Sequence, residues 1–175
     1  MSNEVRHYGL DLVQGHVLER NSTGLPKILD KVKRNLLIDY GEFGMHLPDV
    51  DIIIFDPLDS QVLAVVSIKV TLRERIAQTG YWKLKLESAP VTRGIRVYFI
   101  TPDEDGTLVT KTPTKKGRAI VERDTDGGYV MSEDTIEESD HVKTFDRFIL
   151  DLQALAKDRM KRTKKTDDGS LSSFL

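Results

Sequence analysis

The sequence predicts an α/β fold in which a mixed central β-sheet is flanked by α-helices. Two helical patterns precede residue 40, an apolar hairpin pattern occupies residues 48–70, and helical and strand patterns continue to residue 155. No internal repeat interrupts this order. We therefore expect one domain over residues 1–160, followed by a flexible basic tail over residues 161–175.

Two helices are expected at the amino-terminal end. Apolar residues recur at helical spacing in DLVQGHVLER, residues 11–20, which predicts a first helix that ends near Asn21. A second helix is expected to begin at Pro26, because proline is favoured in the first turn. Glycines at positions 41 and 44 then turn the chain.

A β-hairpin is expected next. PDVDIIIF, residues 48–55, predicts an extended segment with Asp49 and Asp51 on one side, and QVLAVVSIKV, residues 61–70, predicts a buried central strand. In an antiparallel pair with a short turn, the start of one strand lies opposite the end of the next. Asp49 or Asp51 is therefore expected to meet Lys69.

Three further elements complete the predicted order. Thr71 is expected to cap a third helix, and GIRVYFIT, which begins at residue 94, predicts another short buried strand. The polar, Gly-rich stretch over residues 101–135 predicts loops and an irregular hairpin. Ser139 is expected to cap a final helix, whose apolar stripe begins at Val142.

Composition excludes several classes of protein. At 175 residues with 39% hydrophobic content, the chain can bury one core. The absence of cysteine excludes disulfide frameworks, thiolate zinc sites, iron–sulfur clusters and cysteine nucleophiles. The sequence has no apolar run long enough to cross a membrane and no signal-peptide pattern in its first twenty residues. A cytoplasmic protein is therefore expected, without membrane insertion or export.

Charge is distributed unevenly along the chain. The net charge is −2, but residues 61–100 contain seven basic and two acidic residues, a net charge of +5. Such asymmetry would let one face approach a phosphate backbone while another face stays acidic. The simpler alternative is a solvated surface on which the charges cluster by chance.

An aspartate beside a lysine at the end of a sheet suits metal-assisted cleavage of phosphodiesters. Carboxylates bind a hard divalent cation, the cation polarises the phosphate and lowers the pKa of a bound water, and the lysine stabilises developing charge. The structural alternative is a buried salt bridge, which contributes little net stability.

These residues also resemble a known superfamily. Pro48–Asp49 followed by SIK at residues 67–69 resembles the PD-(D/E)xK nucleases, and SIKVTLRER resembles the BsaWI-like type II restriction endonucleases that read a CCGG or CC-N-GG core. The resemblance implies a restriction-endonuclease-like core and a Mg²⁺-dependent endonuclease that acts on double-stranded DNA and leaves 5′-phosphates. A palindromic site would imply a homodimer.

One position departs from this pattern. Ser67 stands where the superfamily has Asp or Glu, and serine cannot supply a carboxylate to the metal. The resemblance implies that a helix supplies the missing acid, either Glu19 on the first helix or Glu74. We favour Glu19, which gives Asp49, Asp51, Lys69 and Glu19 as the expected catalytic residues, the three acids being the metal ligands.

Glu74 has another expected role, which is to read bases. Arg73 and Arg75 can donate paired hydrogen bonds to guanine, and a carboxylate between them can accept one from cytosine. The resemblance implies that Arg73, Glu74 and Arg75 read the CCGG-type core, and Gln78 lies one turn further along. The alternative is an exposed helix whose neighbouring charges do not face each other.

The last residues, DGSLSSFL, resemble a sliding-clamp-binding tail. Leu171, Phe174 and Leu175 match that pattern, whereas Asp168 stands where glutamine is expected. The alternative is a frayed terminus.

Two rival functions follow from these observations. One is a clamp-recruited, structure-specific repair or recombination nuclease, and the other is a non-catalytic DNA-binding module in which Ser67 marks a degraded site.

Overall fold

The computed structural model describes residues 2–20, 24–70, 75–133 and 135–171, without the side chains of Ser2, Arg75 and residues 162–171. A short 3₁₀ turn occupies Gly41–Phe43. The helices and strands in chain order are α1 (Ser2–His7), β1 (Asp11–Gln14), α2 (Gly15–Arg20), α3 (Lys27–Leu36), β2 (Ile38–Asp39), β3 (Met45–His46), β4 (Ile52–Phe55), β5 (Val62–Ile68), α4 (Arg75–Glu87), β6 (Arg96–Thr101), α5 (Lys116–Asp124), β7 (Gly127–Val130), β8 (Val142–Thr144) and α6 (Asp146–Leu171).

Six strands form the central sheet, in the order β1-β4-β5-β6-β7-β8. The pairs β1–β4 and β4–β5 are antiparallel, whereas β5, β6, β7 and β8 run parallel to one another. The sheet is therefore mixed, and helices cover it, which confirms the predicted fold class. The predicted hairpin is confirmed as β4 and β5.

The central strands are apolar along their whole length because both faces of the sheet are covered. On one face Ile52, Ile54 and Val66 pack with Phe148 and Leu152 of α6. The other face has a second cluster, which contains Ile53, Val65, Val97, Leu36 of α3, Leu86 of α4 and, partly buried, Trp82. Two-sided burial of this kind produces continuous apolar runs instead of alternation.

The first predicted helix, over residues 11–20, is a strand in its first part. Asp11–Gln14 forms β1, in which Val13 pairs with Ile53 of β4, and the helix starts only at Gly15. Tertiary pairing overrides local periodicity here, because so short an apolar pattern fits either structure. Asn21, the predicted helix end, lies outside the described residues. The second helix begins at Lys27, directly after Pro26, close to its predicted start.

The prediction of loops over residues 101–135 is wrong, because this stretch contains α5 and the buried strand β7. The local sequence of β7, Gly127-Gly128-Tyr129-Val130, is typical of a turn. In the structure Gly128 is required by packing, since a Cβ there would lie 2.5 Å from the Cγ1 atom of Val121 on α5. Glycine at this position therefore marks close helix–strand contact.

The start of the final helix was also predicted too early. The Ser139 hydroxyl accepts hydrogen bonds from the backbone N–H groups of His141 and Val142, so it stabilises a turn instead of a helix start. Val142 begins β8, and α6 begins at Asp146. The same helix continues to Leu171, beyond the expected domain boundary at residue 160.

No helix within the described ranges is long and apolar enough to cross a membrane. The helix expected after Thr71 is present as α4, and Ile76 on it is buried. Thr71 itself lies outside the described residues.

Candidate active site

Asp51 and Lys69 meet where β5 ends. The β4–β5 register pairs Ile52 with Val66, so the residue before β4 lies beside the last residues of β5. The Asp51 Oδ2 atom accepts hydrogen bonds from the Lys69 ammonium at 3.0 Å and from the Ile68 backbone N–H at 2.7 Å. The Asp51 N–H donates to the Val66 carbonyl at 2.9 Å. Both the backbone and the side chain of Asp51 are therefore fixed.

The two side chains differ in their access to solvent. The Lys69 side chain is 11% exposed, whereas that of Asp51 is 38% exposed. Lys69 is held by its own backbone N–H, which donates to the Ile100 carbonyl of β6 at 3.0 Å. Because both donors reach Oδ2, the Oδ1 atom of Asp51 has no donor among the described residues. The site therefore combines a largely buried ammonium group with an open carboxylate oxygen.

Asp49 has a different partner. Its Oδ2 atom accepts a hydrogen bond from the Gln78 side-chain amide of α4 at 2.9 Å. Of the two aspartates that the sequence left open, the structure therefore brings Asp51 to Lys69 and Asp49 to Gln78.

Glu19 lies on the short helix that packs against Asp51. The Gly15 N–H donates to the Asp51 carbonyl at 2.9 Å, and a Cβ at position 15 would overlap the Val50 carbonyl oxygen. Glycine is thus needed for α2 to begin this close to the strand. Glu19 follows one turn later, on the same helix face as Gly15, and is exposed. Gly15 was not among the residues predicted from the sequence, although a glycine within a helical pattern is a signal of close approach.

The structure does not assemble the three expected metal ligands into a closed cage. Within the described ranges, no three His, Cys, Asp or Glu side chains are grouped so that they could hold a metal ion. Ser67 is buried and uncharged. Mg²⁺, however, is usually held by one or two carboxylates together with waters and substrate phosphates. The open carboxylate of Asp51 fits an ion of this kind, shared with the substrate.

The expected base-reading and clamp-binding residues lie largely beyond the described part. Arg73 and Glu74 are outside the described residues, and Arg75 is described only as the first residue of α4. Gln78 lies three residues further along this helix. Leu171 is described only as the last residue of α6, and Phe174 and Leu175 are outside the described residues.

A second cluster of charged residues lies at the opposite end of the sheet, where β6 and β7 begin. The Asp126 carboxylate forms ion pairs with Lys83 and Arg96, each at 2.7 Å, and Lys83 also forms an ion pair with Glu87 at 3.0 Å. Burial disfavours the charged form of Asp126, but hydrogen bonds from Lys83, the Val97 N–H and Arg96 outweigh it and hold the pKa of Asp126 below its usual value. At this end of the sheet, two of the seven basic residues between 61 and 100 are therefore paired with acidic side chains.

Comparison with known sequences gives a consistent assignment. Residues 28–151 match the family described as BsaWI restriction endonuclease type 2. A relative from Methanocaldococcus jannaschii, assigned as the type II restriction enzyme MjaVIP, is 42% identical over 142 residues, 78% of this chain and 62% of the relative. A Helicobacter pylori relative, assigned as the type II restriction enzyme HpyAORF263P, is 42% identical over 87 residues, 50% of this chain and 45% of that protein. The chain thus spans less than two thirds of either relative.

A solved structure shares the fold. The pre-specific restriction endonuclease BsaWI in complex with DNA superposes with a TM-score of 0.50 at 13% identity, over 93% of this chain and 60% of that chain. This likeness concerns the fold alone. Since the family match covers most of the sequence and includes the β4–β5 hairpin, the chain belongs to the BsaWI-type family of type II restriction endonucleases.

Proposed function

We propose that this protein is a Mg²⁺-dependent, sequence-specific endonuclease that hydrolyses double-stranded DNA and leaves 5′-phosphate ends. The main support is the Asp51–Lys69 pair, which places an ammonium group and an open carboxylate together at the end of β5. The type II restriction enzymes among its relatives support the same class of substrate. We further propose that it acts in the cytoplasm, where it would meet DNA.

In this proposal Asp51 is the first metal ligand and Glu19 the second. When bound, Mg²⁺ supplies Lewis-acid polarisation of the scissile phosphate and a water of lowered pKa. Lys69 is held beside that position by Asp51 and by the backbone of β6, so its charge can stabilise the negative charge that develops on the phosphate. The exposed carboxylate of Asp51 leaves room for substrate to approach.

Sequence specificity is assigned to the segment that leads into α4. Arg73, Glu74 and Arg75 are proposed to read a CCGG-like core. The segment follows Lys69 directly in the chain, so base recognition would take place within a few residues of the cleavage centre. A palindromic core of this kind implies a two-fold homodimer on DNA.

Plasmid cleavage tests this proposal. The protein is incubated with plasmid DNA in Mg²⁺ and, in parallel, in EDTA, and the ends of the products are sequenced. We expect linear products with 5′-phosphates and one recurring sequence at the ends, and no product in EDTA. Cutting without a preferred sequence would refute the specificity, and the absence of cutting on plasmids that contain every four-base core would refute the activity.

Replacement of Arg73 tests base reading separately from cleavage. Arg73→Ala is expected to cost about 1–3 kcal/mol of discrimination between the preferred site and sites with one altered base pair. Competition binding in Ca²⁺ would measure it, and Arg93→Ala provides a matched control because Arg93 lies outside the proposed reading segment and contacts the Glu87 carbonyl. Full retention of site preference by Arg73→Ala would contradict the assignment.

A further inference from the structure

The hydrogen bond between Asp49 and Gln78 connects two parts of the molecule that the proposed function treats separately. Asp49 belongs to the segment that leads into β4, two residues before Asp51. Gln78 belongs to the first turns of α4, three residues after its start at Arg75. The 2.9 Å contact therefore joins the segment that contains the cleavage centre to the helix that follows the proposed base-reading residues.

The charge of Asp49 has no cationic partner within the described part of the chain. Asp49 accepts a hydrogen bond from the neutral side-chain amide of Gln78, whereas Asp51 is bonded to the Lys69 ammonium group. The geometry therefore separates the roles of the two aspartates, although they are only two residues apart.

The rest of α4 is fixed by contacts on its other side. Ile76 is buried in the cluster that contains Phe99 and Val121, and a Cβ at Gly80 would lie 3.1 Å from the Cβ of Asp124 on α5. Lys83 is paired with Asp126. These contacts orient α4 against β6 and α5, whereas the Gln78–Asp49 hydrogen bond fixes its beginning relative to the segment before β4.

We propose that Asp49 and Gln78 form a positioning pair that couples base recognition to cleavage, so that Asp49 is a positioning residue and Gln78 does not read bases itself. This inference rests on the proposed function. A shift of α4 on binding to an incorrect site would be transmitted through this hydrogen bond to the segment that holds Asp51. The pair would then favour cleavage at the correct site more than it favours binding there.

Variants of the pair distinguish a positioning role from metal binding. The substrates are a duplex that contains the plasmid-mapped site and duplexes with one altered base pair. Asp49→Ala and Gln78→Ala are each expected to lower, by about tenfold, the ratio of the single-turnover cleavage rate on the mapped site to the rate on the altered duplexes. This is the effect of one hydrogen bond to a charged group. Affinity for the mapped site in Ca²⁺ should change far less. The double variant should lose no more than either single variant, because both remove one interaction.

Conservative variants provide the decisive comparison. Asp49→Asn retains an oxygen that can accept a hydrogen bond from Gln78, so the ratio of cleavage rates should be largely preserved. Gln78→Glu places two carboxylates together, so it should lower that ratio. The combination of Asp49→Asn with Gln78→Glu restores a hydrogen bond of reversed direction and should recover it. If Asp49→Asn abolishes cleavage as fully as Asp49→Ala while Gln78→Ala is unaffected, Asp49 is a metal ligand and the proposal is overturned.

Hydrogen exchange tests the pair independently of activity. Backbone amides of residues 75–80 are expected to exchange faster in Asp49→Ala and in Gln78→Ala, whereas the exposed-residue controls Asp140→Ala and Gln61→Ala should match the wild type. If the wild-type protein cuts no plasmid, the proposed function fails but exchange still decides whether the pair anchors α4. Unchanged exchange in both variants would overturn the positioning role.

Discussion

An aspartate–lysine contact lies at each end of the central sheet, and the two contacts have opposite character. Where β5 ends, Asp51 is 38% exposed and has one cationic partner, Lys69. Where β6 and β7 begin, the Asp126 side chain is 9% exposed and has two cationic partners, Lys83 and Arg96. The same residue types thus form a largely buried carboxylate with two cationic partners at one end of the sheet and a partly exposed carboxylate with one cationic partner at the other.

The two contacts differ chemically in how many donors surround the carboxylate. Every strong donor around Asp126 stabilises its charged form, and a metal ion could bind this carboxylate only by displacing Lys83 or Arg96. Asp51 receives both of its donors on one oxygen. A count of basic residues along the sequence therefore overstates the charge available to DNA, because Lys83 and Arg96 are paired with Asp126 and Lys69 is paired with Asp51.

The largest expected effect is the loss of cleavage when Lys69 is replaced. Lys69→Ala should lower the single-turnover cleavage rate by at least about 100-fold, because it removes charge stabilisation in the transition state. The matched variant, Lys83→Ala, removes the lysine of the other contact and should leave the rate of the folded protein unchanged. Quenched-flow cleavage assays, with DNA affinity measured in Ca²⁺, would separate catalysis from binding.

Two outcomes would contradict this assignment of the centres. Equal cleavage by Lys69→Ala and the wild type would remove Lys69 from the reaction. A loss of cleavage in Lys83→Ala without unfolding would show that the opposite end of the sheet also contributes to the reaction.

The second expected effect is on stability, and here the Asp126 contact should contribute more than the Asp51 contact. Asp126→Asn should lower the free energy of unfolding by about 3 kcal/mol, because the Asp126 carboxylate is largely buried and is paired with both Lys83 and Arg96. Asp51→Asn should cost less than about 1 kcal/mol, since that pair is partly open to water. Urea unfolding of both variants would measure the difference. A cost for Asp51→Asn equal to that for Asp126→Asn would show that the Asp51–Lys69 contact is also a structural anchor.

The Asp51–Lys69 contact could be predicted from sequence because it depends on local pairing. A short turn between two apolar strands fixes an antiparallel register, and the register brings the residue before β4 to the end of β5. Sequence periodicity alone could not choose between Asp49 and Asp51. The strand register decides between them, because it places Asp51, the residue directly before β4, beside the end of β5.

The carboxyl-terminal half was harder to predict because its strands are paired through crossovers. β6, β7 and β8 are parallel neighbours, so each strand is stabilised by residues distant in the sequence. β7 contains two glycines, and its strand character comes from packing beneath α5 instead of from its own propensity. Asp126 was missed for the same reason, since it meets Lys83 and Arg96 only after β6 and β7 have aligned.

The smallest expected effect is the pH dependence of the Asp126 contribution. Because the pKa of Asp126 is lower in the folded protein than the value of about 3.9 for an unfolded chain, this residue stabilises the fold above about pH 4. That contribution is lost as pH falls through the folded-state pKa.

Asparagine resembles the protonated aspartic acid in shape, so the stability gap between the wild type and Asp126→Asn should narrow below about pH 4. Thermal unfolding of both proteins at a series of pH values from neutral to acidic would measure this gap. A gap that stays constant through the acidic range would mean that Asp126 stabilises the fold by packing, and that its hydrogen bonds to Lys83 and Arg96 do not depend on its charge.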